Sequence, residues 1–317
     1  MMKSIKFLFA MLVTVACEST VEVEFPRETP KLVLNALLEA DSAVIVELSQ
    51  SKSVLSDGEL TVVKEAQVVL LENNRPVATL TEAQSGIWGT YATDFTLSAE
   101  AIYTVEASKE GFEPVTATTS IPAAVPIETL GYDKEVVREG DPRFDTKDNA
   151  PDPQLVVNNL RLSFNDLAEE ANYYEIQVYE DHTSYYRKED GTSPTQVWEA
   201  ALITSSDPVV VNNDVLQGDT HYTGSSLIFS DEIFNGQRYT VAFDTDRDFD
   251  TFRRTDRYRV LFRHISEEQF RYWQSAKQQY RAEDDPFAEP VLIFNNVVGG
   301  YGIVGGANTQ SELITAE

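Results

Sequence analysis

Three glycines near the C-terminus have the spacing of a nucleotide-binding loop. Gly300, Gly302 and Gly305 form the pattern G-x-G-x-x-G, in which backbone amides at the start of a helix hold a pyrophosphate. Such a site also needs a helix and a second parallel strand after the glycines. Only twelve residues follow Gly305, which is too few for both elements. We therefore expect no nucleotide, and we expect the glycines to permit tight turns and close backbone approach at the end of a sheet.

The residue types used in catalysis are sparse or uninformative. The three histidines are His182, His221 and His264, and none has the spacing of a metal-binding motif such as H-E-x-x-H. A G-x-S-x-G nucleophile motif is also missing. We expect no catalytic residue, no metal and no cofactor, and we interpret His264 as a packed or capping residue. A carboxylate pair of the glycosidase kind stays open, because any of the 52 acidic residues could serve.

One acidic run resembles the start of a calcium-binding loop. Aspartates alternate from Asp244 to Asp250, as do the first ligands of an EF-hand. Phe249 replaces the glycine at position six of such a loop, and Thr255 replaces the closing glutamate at position twelve. A solvated acidic loop is therefore the favoured interpretation.

The N-terminus predicts export and lipid attachment. Two lysines precede an apolar run of ten residues (7–16), which is typical of a cleaved signal peptide and too short to span a membrane. The only cysteine, Cys17, follows directly and cannot form an internal disulfide. Its position resembles a bacterial lipobox, although Thr14 stands where leucine is usual. We expect residues 1–16 to be a signal peptide, Cys17 to be acylated, and residues 17–30 to tether the protein to a membrane.

The charge balance excludes some partners. The chain has 52 acidic and 25 basic residues, which gives a net charge of −27. Nucleic acids require a cationic surface, so we expect no nucleic-acid partner. The acidic residues are spread along most of the chain, which favours a solvated surface.

Short β-rich runs predict an antiparallel β-sandwich in residues 31–122. They recur at roughly ten-residue spacing with turn residues between them, as is typical of such a sandwich. The seven runs are 31–38, 42–49, 66–72, 76–80, 86–93, 101–108 and 115–121. The proline-bearing segment 121–127 then predicts a stiff, extended connector.

Residues 128–317 predict a second antiparallel β domain with one amphipathic helix near its end. Period-two alternation and apolar runs predict strands at 160–166, 172–180, 237–244, 257–264 and 290–297. Long polar loops are expected at 141–154, 181–196 and 244–254. The helix is expected at about 266–281, with Ser266 as N-cap and Gln269 at the capping-box position. One helix face, which we expect to pack in the core, carries Phe270, Trp273, Lys277 and Tyr280.

Four aromatic residues could stack against a sugar ring. Tyr185, Tyr186 and Trp198 lie in polar sequence and are candidate ligand-binding residues. Trp88 lies in a strand-like run, where core packing is the favoured interpretation.

Four segments share their pattern with a known family. DDPFAEPVLIFNNVVGGYGIVGGANTQ (284–310) has the proline-framed, glycine-rich form of the family's closing motif. CESTVEVEFPRETPKLVLNALL (17–38) has the form of its opening. LSFNDLAEEANYYEIQVY (162–179) and FSDEIFNGQRYTVAF (229–243) have the form of two later strand motifs. The chain thus resembles the Bacteroidetes lipoproteins described as domain of unknown function 4249, and its glycine motif belongs to that signature.

The resemblance implies a location more than a mechanism. Members resemble outer-membrane lipoproteins, and their genes often lie beside those of TonB-dependent outer-membrane transporters. The first domain resembles immunoglobulin-like or carboxypeptidase-regulatory-like sandwiches, which are usually interaction or spacer modules. We therefore expect a non-catalytic accessory subunit of such a transporter, which contacts it through the long loops. The alternative is a free-standing surface lipoprotein that binds a glycan or another nutrient through the aromatic residues named above.

Two short patterns refine the expected location. Acidic residues follow Cys17, as in surface-export signals of this phylum, so surface display is favoured over a periplasmic location. Asp41-Ser42-Ala43 resembles the acceptor motif for O-glycosylation in secreted Bacteroidetes proteins.

Overall fold

The computed structural model describes residues 29–53, 61–83, 89–137, 155–168, 170–188, 191–211, 222–247, 257–283, 289 and 291–315. Within these ranges the protein is mainly β, as the sequence predicts, with one thirteen-stranded sheet, one five-stranded sheet and two helices.

The first sandwich follows from alternation of apolar and polar residues along short strands. In β2, Val44, Val46 and Leu48 are buried while the residues between them are exposed, so one face of the strand lies in the core. The eight strands are β1 (Leu32–Glu39), β2 (Ala43–Gln50), β3 (Thr61–Val62), β4 (Gln67–Glu72), β5 (Arg75–Glu82), β6 (Thr90–Thr96), β7 (Ile102–Ser108) and β8 (Val115–Ser120). The sequence predicts seven strands here, and the two-residue β3 is the additional one. Residues 84–88 with Trp88 lie outside the described ranges.

The second sandwich packs two sheets around an aromatic core. Phe164 lies at the centre, with ring centroids 4.8 Å from Tyr174 and 4.7 Å from Phe262. Its strands are β9 (Ile127–Val137), β10 (Leu155–Asn165), β11 (Tyr173–Lys188), β12 (Gly191–Ala200), β13 (Ile203–Ser205), β14 (Tyr222–Gly224), β15 (Ser226–Ser230), β16 (Arg238–Arg247) and β17 (Arg257–Ile265). Two helices accompany them, namely α1 (Pro208–Val211) and α2 (Glu267–Glu283). The five-stranded sheet has the order β14-β13-β16-β10-β9.

The last strand, β18 (Tyr301–Thr315), joins the two sandwiches. Its first half pairs in parallel with β1, from Val33↔Tyr301 to Glu39↔Ala307. Its second half pairs antiparallel with β17, from Ile265↔Ala307 to Arg257↔Thr315. The thirteen-stranded sheet therefore crosses the predicted domain boundary, because β18 belongs to both halves.

The glycine motif lies where β18 has close backbone neighbours. A Cβ atom on Gly300 would lie 2.3 Å from the carbonyl oxygen of Leu32, and one on Gly306 would lie 2.0 Å from that of Ser120. Real Cβ atoms do not approach backbone oxygens so closely, so these positions require glycine. This confirms the prediction that the glycines serve close backbone approach.

Helix α2 begins at the predicted cap. Ser266 Oγ accepts a hydrogen bond from the backbone N–H of Gln269 at 3.3 Å. The reciprocal capping-box bond does not form, because the N–H of Ser266 donates to the carbonyl of Gly306 at 2.8 Å. The predicted apolar face is only partly correct, since Phe270 is buried and stacks on Tyr173, whereas Tyr280 is 72% exposed.

The strand predicted at 290–297 is wrong. The described residues 291–297 form no backbone ladder with another strand. Hydrogen bonds that involve side chains hold this segment instead. The N–H of Phe294 donates to Ser275 Oγ of α2 at 2.8 Å. Asn296 bonds both the N–H and the carbonyl of Val304 in β18, at 3.0 and 2.9 Å. These amide contacts occupy the edge of β18 that a neighbouring strand would use.

The polar loop predicted at 181–196 is also wrong. Residues 182–188 continue β11, and residues 191–197 form most of β12, in an antiparallel ladder from Lys188↔Gly191 to Tyr179↔Ala200. Tyrosine, threonine and valine in this sequence favour strands despite the polar residues between them. Residues 141–154 and 248–254 lie outside the described ranges.

Candidate functional site

A cleft of about 690 Å³ lies where the two sandwiches meet. Its first wall is formed by the start of β7 and the connector after β8, including Ile102 and Pro122. Its second wall is formed by residues 170–173, the end of β17 and the start of α2. Clefts between domains are common ligand sites, so this cleft is the candidate site of the molecule.

His264 forms the floor of the cleft and is held in one orientation. Its Nδ1 lies 2.9 Å from the carbonyl oxygen of Ala123, and its ring stacks on Tyr174 with centroids 5.2 Å apart. A carbonyl only accepts, so Nδ1 carries the proton and Nε2 of the neutral ring is an acceptor. Burial lowers the pKa of His264, since only 6% of the residue is exposed.

A buried polar cluster fixes the second wall. Asn172 donates through Nδ2 to the carbonyls of Leu167 and Glu170 and to Asp231 Oδ2, at 2.7, 3.0 and 3.1 Å. Asp166 accepts from the hydroxyl of Tyr174, which also stacks on His264. Burial raises the pKa of Asp166, and the hydrogen bond from Tyr174 opposes that shift. The cluster therefore connects the loop of the second wall to the floor of the cleft.

The polar lining of the cleft is rich in carboxylates. Glu100, Glu170 and Glu267 contribute them beside the neutral ring of His264. Ile102 and Leu167 contribute exposed apolar surface. This lining favours a ligand with hydrogen-bond donors and some apolar surface. Among the described residues, no group of three or more His, Cys, Asp or Glu side chains could hold a metal ion.

The candidate ligand-binding aromatics lie elsewhere, on the hairpin formed by β11 and β12. Tyr185 is opposite Pro194, Tyr186 is opposite Ser193, and Trp198 is opposite Asp181. The side chains of Tyr185 and Tyr186 lie outside the described part of the chain, as do all atoms of Cys17 and His221. Trp198, whose side chain is described, is not among the residues that line the cleft.

Trp198 lies at the base of this hairpin against two arginines of β17. The guanidinium of Arg259 lies over its ring at 4.4 Å from the centroid, and that of Arg257 lies at 5.6 Å. Arg257 also forms an ion pair with Asp181, which is buried. The arginines therefore hold the indole on the sheet and occupy part of the ring surface that a sugar would use.

A second buried network crosses the junction of the sandwiches beside β18. Arg263 donates to Glu175 Oε2 at 3.2 Å and to Gln177 Oε1 at 2.8 Å, and its Nε lies 3.7 Å from Glu39 of β1. Burial raises the pKa of Glu175, while the nearby Arg263 opposes the shift. Sequence reasoning missed this network, although alternating charged residues in an apolar strand were a signal for it.

The acidic run from Asp244 begins in a strand. Asp244 and Asp246 belong to β16 and pair with Asn159 and Val157 of β10, while residues 248–256 lie outside the described ranges.

Ser42, the residue of the possible O-glycosylation motif, lies in the turn between β1 and β2, where its hydroxyl is 3.4 Å from the carbonyl of Ala40. Neither helix in the described ranges is long and apolar enough to cross a membrane.

Comparisons with known proteins identify a family without an assigned activity. No curated protein matches the chain. A solved structure titled "Biofilm associated protein - BSP domain" aligns with 8% identity and a TM-score of 0.17, over 90% of this chain and 59% of that one. This chain therefore spans less than two thirds of that protein, and the likeness carries no argument about fold or function. A family model described as "Domain of unknown function (DUF4249)" matches residues 18–312, so the chain belongs to the DUF4249 family.

Proposed function

We propose that this chain is a non-catalytic Bacteroidetes lipoprotein of the outer membrane, displayed at the cell surface, and an accessory subunit of a TonB-dependent transporter. Lipid attachment at Cys17 is supported by the short apolar run before it and by the absence of any other cysteine. The transporter partner is supported by the resemblance to family members whose genes lie beside transporter genes.

The observation that carries the partner role is a projecting arm, which we define as residues 182–197 of the β11–β12 hairpin. The described part of β17 pairs with β11 only as far as Asp181↔Arg257. Beyond that point, residues 182–188 pair only with β12 among the described strands. At about 3.3 Å per residue, the arm extends roughly 23 Å past the last pairing with the described part of β17. A two-stranded ribbon is marginally stable in water by itself, and no further described strand lies beside the arm, so a partner surface would stabilise it.

The arm and the point where the chain enters β1 lie at opposite ends of the described structure. β11 is antiparallel to β17, and β17 is antiparallel to β18, so β11 and β18 run in the same direction. β18 begins at Tyr301 beside Lys31, where the tether joins the body. The arm continues beyond the far end of β18, so it lies on the side away from the anchor, where it can reach a neighbour that projects from the membrane.

The test of the partner role is co-purification with and without the arm. His182 and Val197 are directly opposite, so residues 183–196 can be replaced by Asn-Gly, the preferred two-residue hairpin turn. We expect the intact protein to bring down an outer-membrane barrel in gentle detergent, and the shortened protein to remain folded and anchored but to lose the barrel. Equal recovery of the barrel by both proteins would exclude the arm as the contact. Absence of a barrel with the intact protein, where other complexes survive, would refute the accessory role.

Lipid attachment has a separate test. Replacing Cys17 by serine removes the only thiol that can be acylated. We expect cells grown with a labelled fatty acid to incorporate the label into the intact protein and not into the Cys17→Ser variant. Equal labelling of both would mean that the anchor lies elsewhere.

The cleft favours a second candidate function, a free-standing module that binds a glycan or another nutrient. Its volume and acceptor lining suit a polar ligand with hydroxyl or amine donors. Retention on a polysaccharide gel that is lost in His264→Gln would place the ligand in the cleft. Retention that is lost in Trp198→Ala would place it on the hairpin instead, and absence of retention in the intact protein would count against this candidate.

A further inference from the structure

The tether joins the body beside a small exposed apolar surface. The chain enters β1 through Pro30 and Lys31, and Lys31 exchanges hydrogen bonds with Ser51, with its N–H 2.9 Å from Ser51 Oγ and its carbonyl 2.8 Å from the N–H of Ser51. Cys17 lies twelve residues before Thr29, so the intervening chain spans at most about 43 Å when fully extended. A lipid on Cys17 therefore keeps this end of the body within about 43 Å of the membrane.

Direct contacts join the neighbouring residues into one patch. The ammonium of Lys31 lies 5.5 Å from the ring centroid of Tyr301. Val298 forms an isolated bridge with Thr116, through backbone bonds of 2.8 and 3.2 Å. Gly299 lies so close to Pro114 that an added Cβ would be 2.4 Å from its carbonyl oxygen. We define the tether patch as Pro30, Lys31, Pro114, Val298 and Tyr301.

The tether patch combines exposed apolar side chains with little charge. Val298 is 69% exposed and Tyr301 is 43% exposed, and both prolines are exposed. Its one charged residue is Lys31, with Glu113 at the rim, whereas acidic residues outnumber basic ones by 52 to 25 in the whole chain. Anionic head groups repel an acidic surface, so a face whose one charge is a lysine is suited to contact with a lipid surface.

We infer that the tether patch rests on the lipid surface and holds the body upright on the membrane. The inference depends on the lipid anchor in the proposed function. Tyrosine is favoured at membrane interfaces because its ring is apolar and its hydroxyl is polar, and lysine is attracted to lipid phosphates. Two or three side chains alone bind a lipid surface weakly. They suffice to orient the body here, because the tether keeps the patch at a high effective concentration near the bilayer.

This orientation places the arm far from the membrane. Tyr301 and Leu313 lie on the same strand, twelve residues apart, which corresponds to roughly 40 Å. The arm extends beyond the level of Leu313, because Arg259 is opposite both Leu313 and Tyr179, and β11 continues from Tyr179 to Lys188. A partner of the arm must therefore present its surface well outside the bilayer.

The test uses introduced cysteines as reporters in the full-length, acylated protein. Cys17 is the only native cysteine and its thiol is consumed by the lipid, so Val298→Cys and Leu313→Cys each provide one reactive thiol. Both native side chains are exposed, at 69% and 54%, so either change leaves the core intact. Each variant is labelled with bimane and placed in phosphatidylethanolamine–phosphatidylglycerol vesicles that carry a nitroxide on a fraction of head groups.

We expect the nitroxide to quench the label at position 298 and to leave the label at position 313 unchanged. Adding Tyr301→Ser should reduce the quenching at 298 while the protein still floats with the vesicles. Equal quenching at both positions would overturn the inference, as would quenching at position 298 that is unchanged by Tyr301→Ser. Neither result would count against the lipid anchor at Cys17. Protein that does not float with the vesicles would refute the anchor itself, and this inference with it.

Discussion

At the scale of single residues, His264 links the candidate cleft to stability. Its pKa is lowered by burial, so below its ordinary value of 6.5 the unfolded chain binds a proton that the folded chain does not. The free energy of unfolding therefore falls as the pH decreases from 6.5 towards the lower pKa of the folded state. One proton changes that free energy by at most about 1.4 kcal/mol per pH unit.

His264→Asn should remove this dependence, because Asn Nδ2 takes the place of His Nδ1 and can still donate to Ala123, whereas the amide does not titrate in this range. We expect urea unfolding between pH 7.5 and 5.5 to give a shallower decline for the variant than for the native protein. His182 and His221 are present in both proteins and cancel in the comparison. Parallel declines would mean that His264 titrates equally in the folded and unfolded states.

Gly306 tests whether the glycine motif is structural. Its Cβ in Gly306→Ala would lie 2.0 Å from the carbonyl oxygen of Ser120, a backbone atom that cannot move aside cheaply. We expect a loss of stability at the upper end of the roughly 1–3 kcal/mol typical of overpacking. Gly131→Ala is the matched control, since its Cβ would meet Arg161 at an ordinary 3.7 Å. Similar unfolding midpoints for the two variants would contradict the structural role.

At this scale the sequence allowed some predictions and not others. The structural role of the glycines could be predicted, because too few residues follow Gly305 for a nucleotide fold. The packed state of His264 could be predicted from its apolar strand. The cleft could not, since its carboxylates at Glu100, Glu170 and Glu267 are distant in sequence and meet only through the fold.

At the scale of elements, α2 depends on a cap that also joins three parts of the molecule. Ser266 Oγ accepts from the N–H of Gln269 and from the N–H of Gly306, and it lies 3.0 Å from the hydroxyl oxygen of Thr119, which also donates to Glu268. Ser266→Ala removes the acceptor of the two backbone N–H groups in a buried place, while Thr119 keeps its bond to Glu268. We expect it to cost about 2 kcal/mol, the upper end of the range for a lost N-cap.

Chemical denaturation of Ser266→Ala beside Ser311→Ala measures this cost. Ser311 is exposed on β18, so its replacement should change the free energy of unfolding by less than about 0.5 kcal/mol. A loss for Ser266→Ala no larger than for Ser311→Ala would show that the cap does not couple the helix to β8 and β18.

Elements were predictable where local signals agree. The segment from Ser266 has a cap, strong helix formers and no glycine or proline, and it forms the expected helix. The run at 290–297 has an equally strong apolar pattern, yet Asn296 and neighbouring side chains bond it to β18 and α2 without a ladder. An apolar run predicts a strand only if the fold leaves a sheet edge free for that strand to pair with, and the sequence does not show whether it does. Residues 181–196 are polar and therefore predict a loop, although they belong to two strands that are adjacent in sequence and pair with each other.

At the scale of the whole molecule, β18 determines how the two sandwiches are arranged. It pairs with β1 at one end of the sequence and with β17 near the other, and Asn35 contacts Ile303 across 268 residues. No short sequence pattern indicates that β1 and β18 pair in parallel. The sequence therefore predicts two sandwiches but not the strand that connects them. That connection places the tether patch and the arm at opposite ends, which is the basis of the proposed orientation and partner role.

The most direct test of the central claim is photo-crosslinking from the arm in living cells. A photoreactive residue is placed at Thr195 in the arm, and in a second strain at Ile45, which is half exposed on β2 in the first sandwich. We predict that irradiation joins the protein to an outer-membrane barrel from position 195 and not from position 45. Adducts with the barrel from position 45 alone, or from neither position, would contradict an accessory subunit that binds its transporter through the arm.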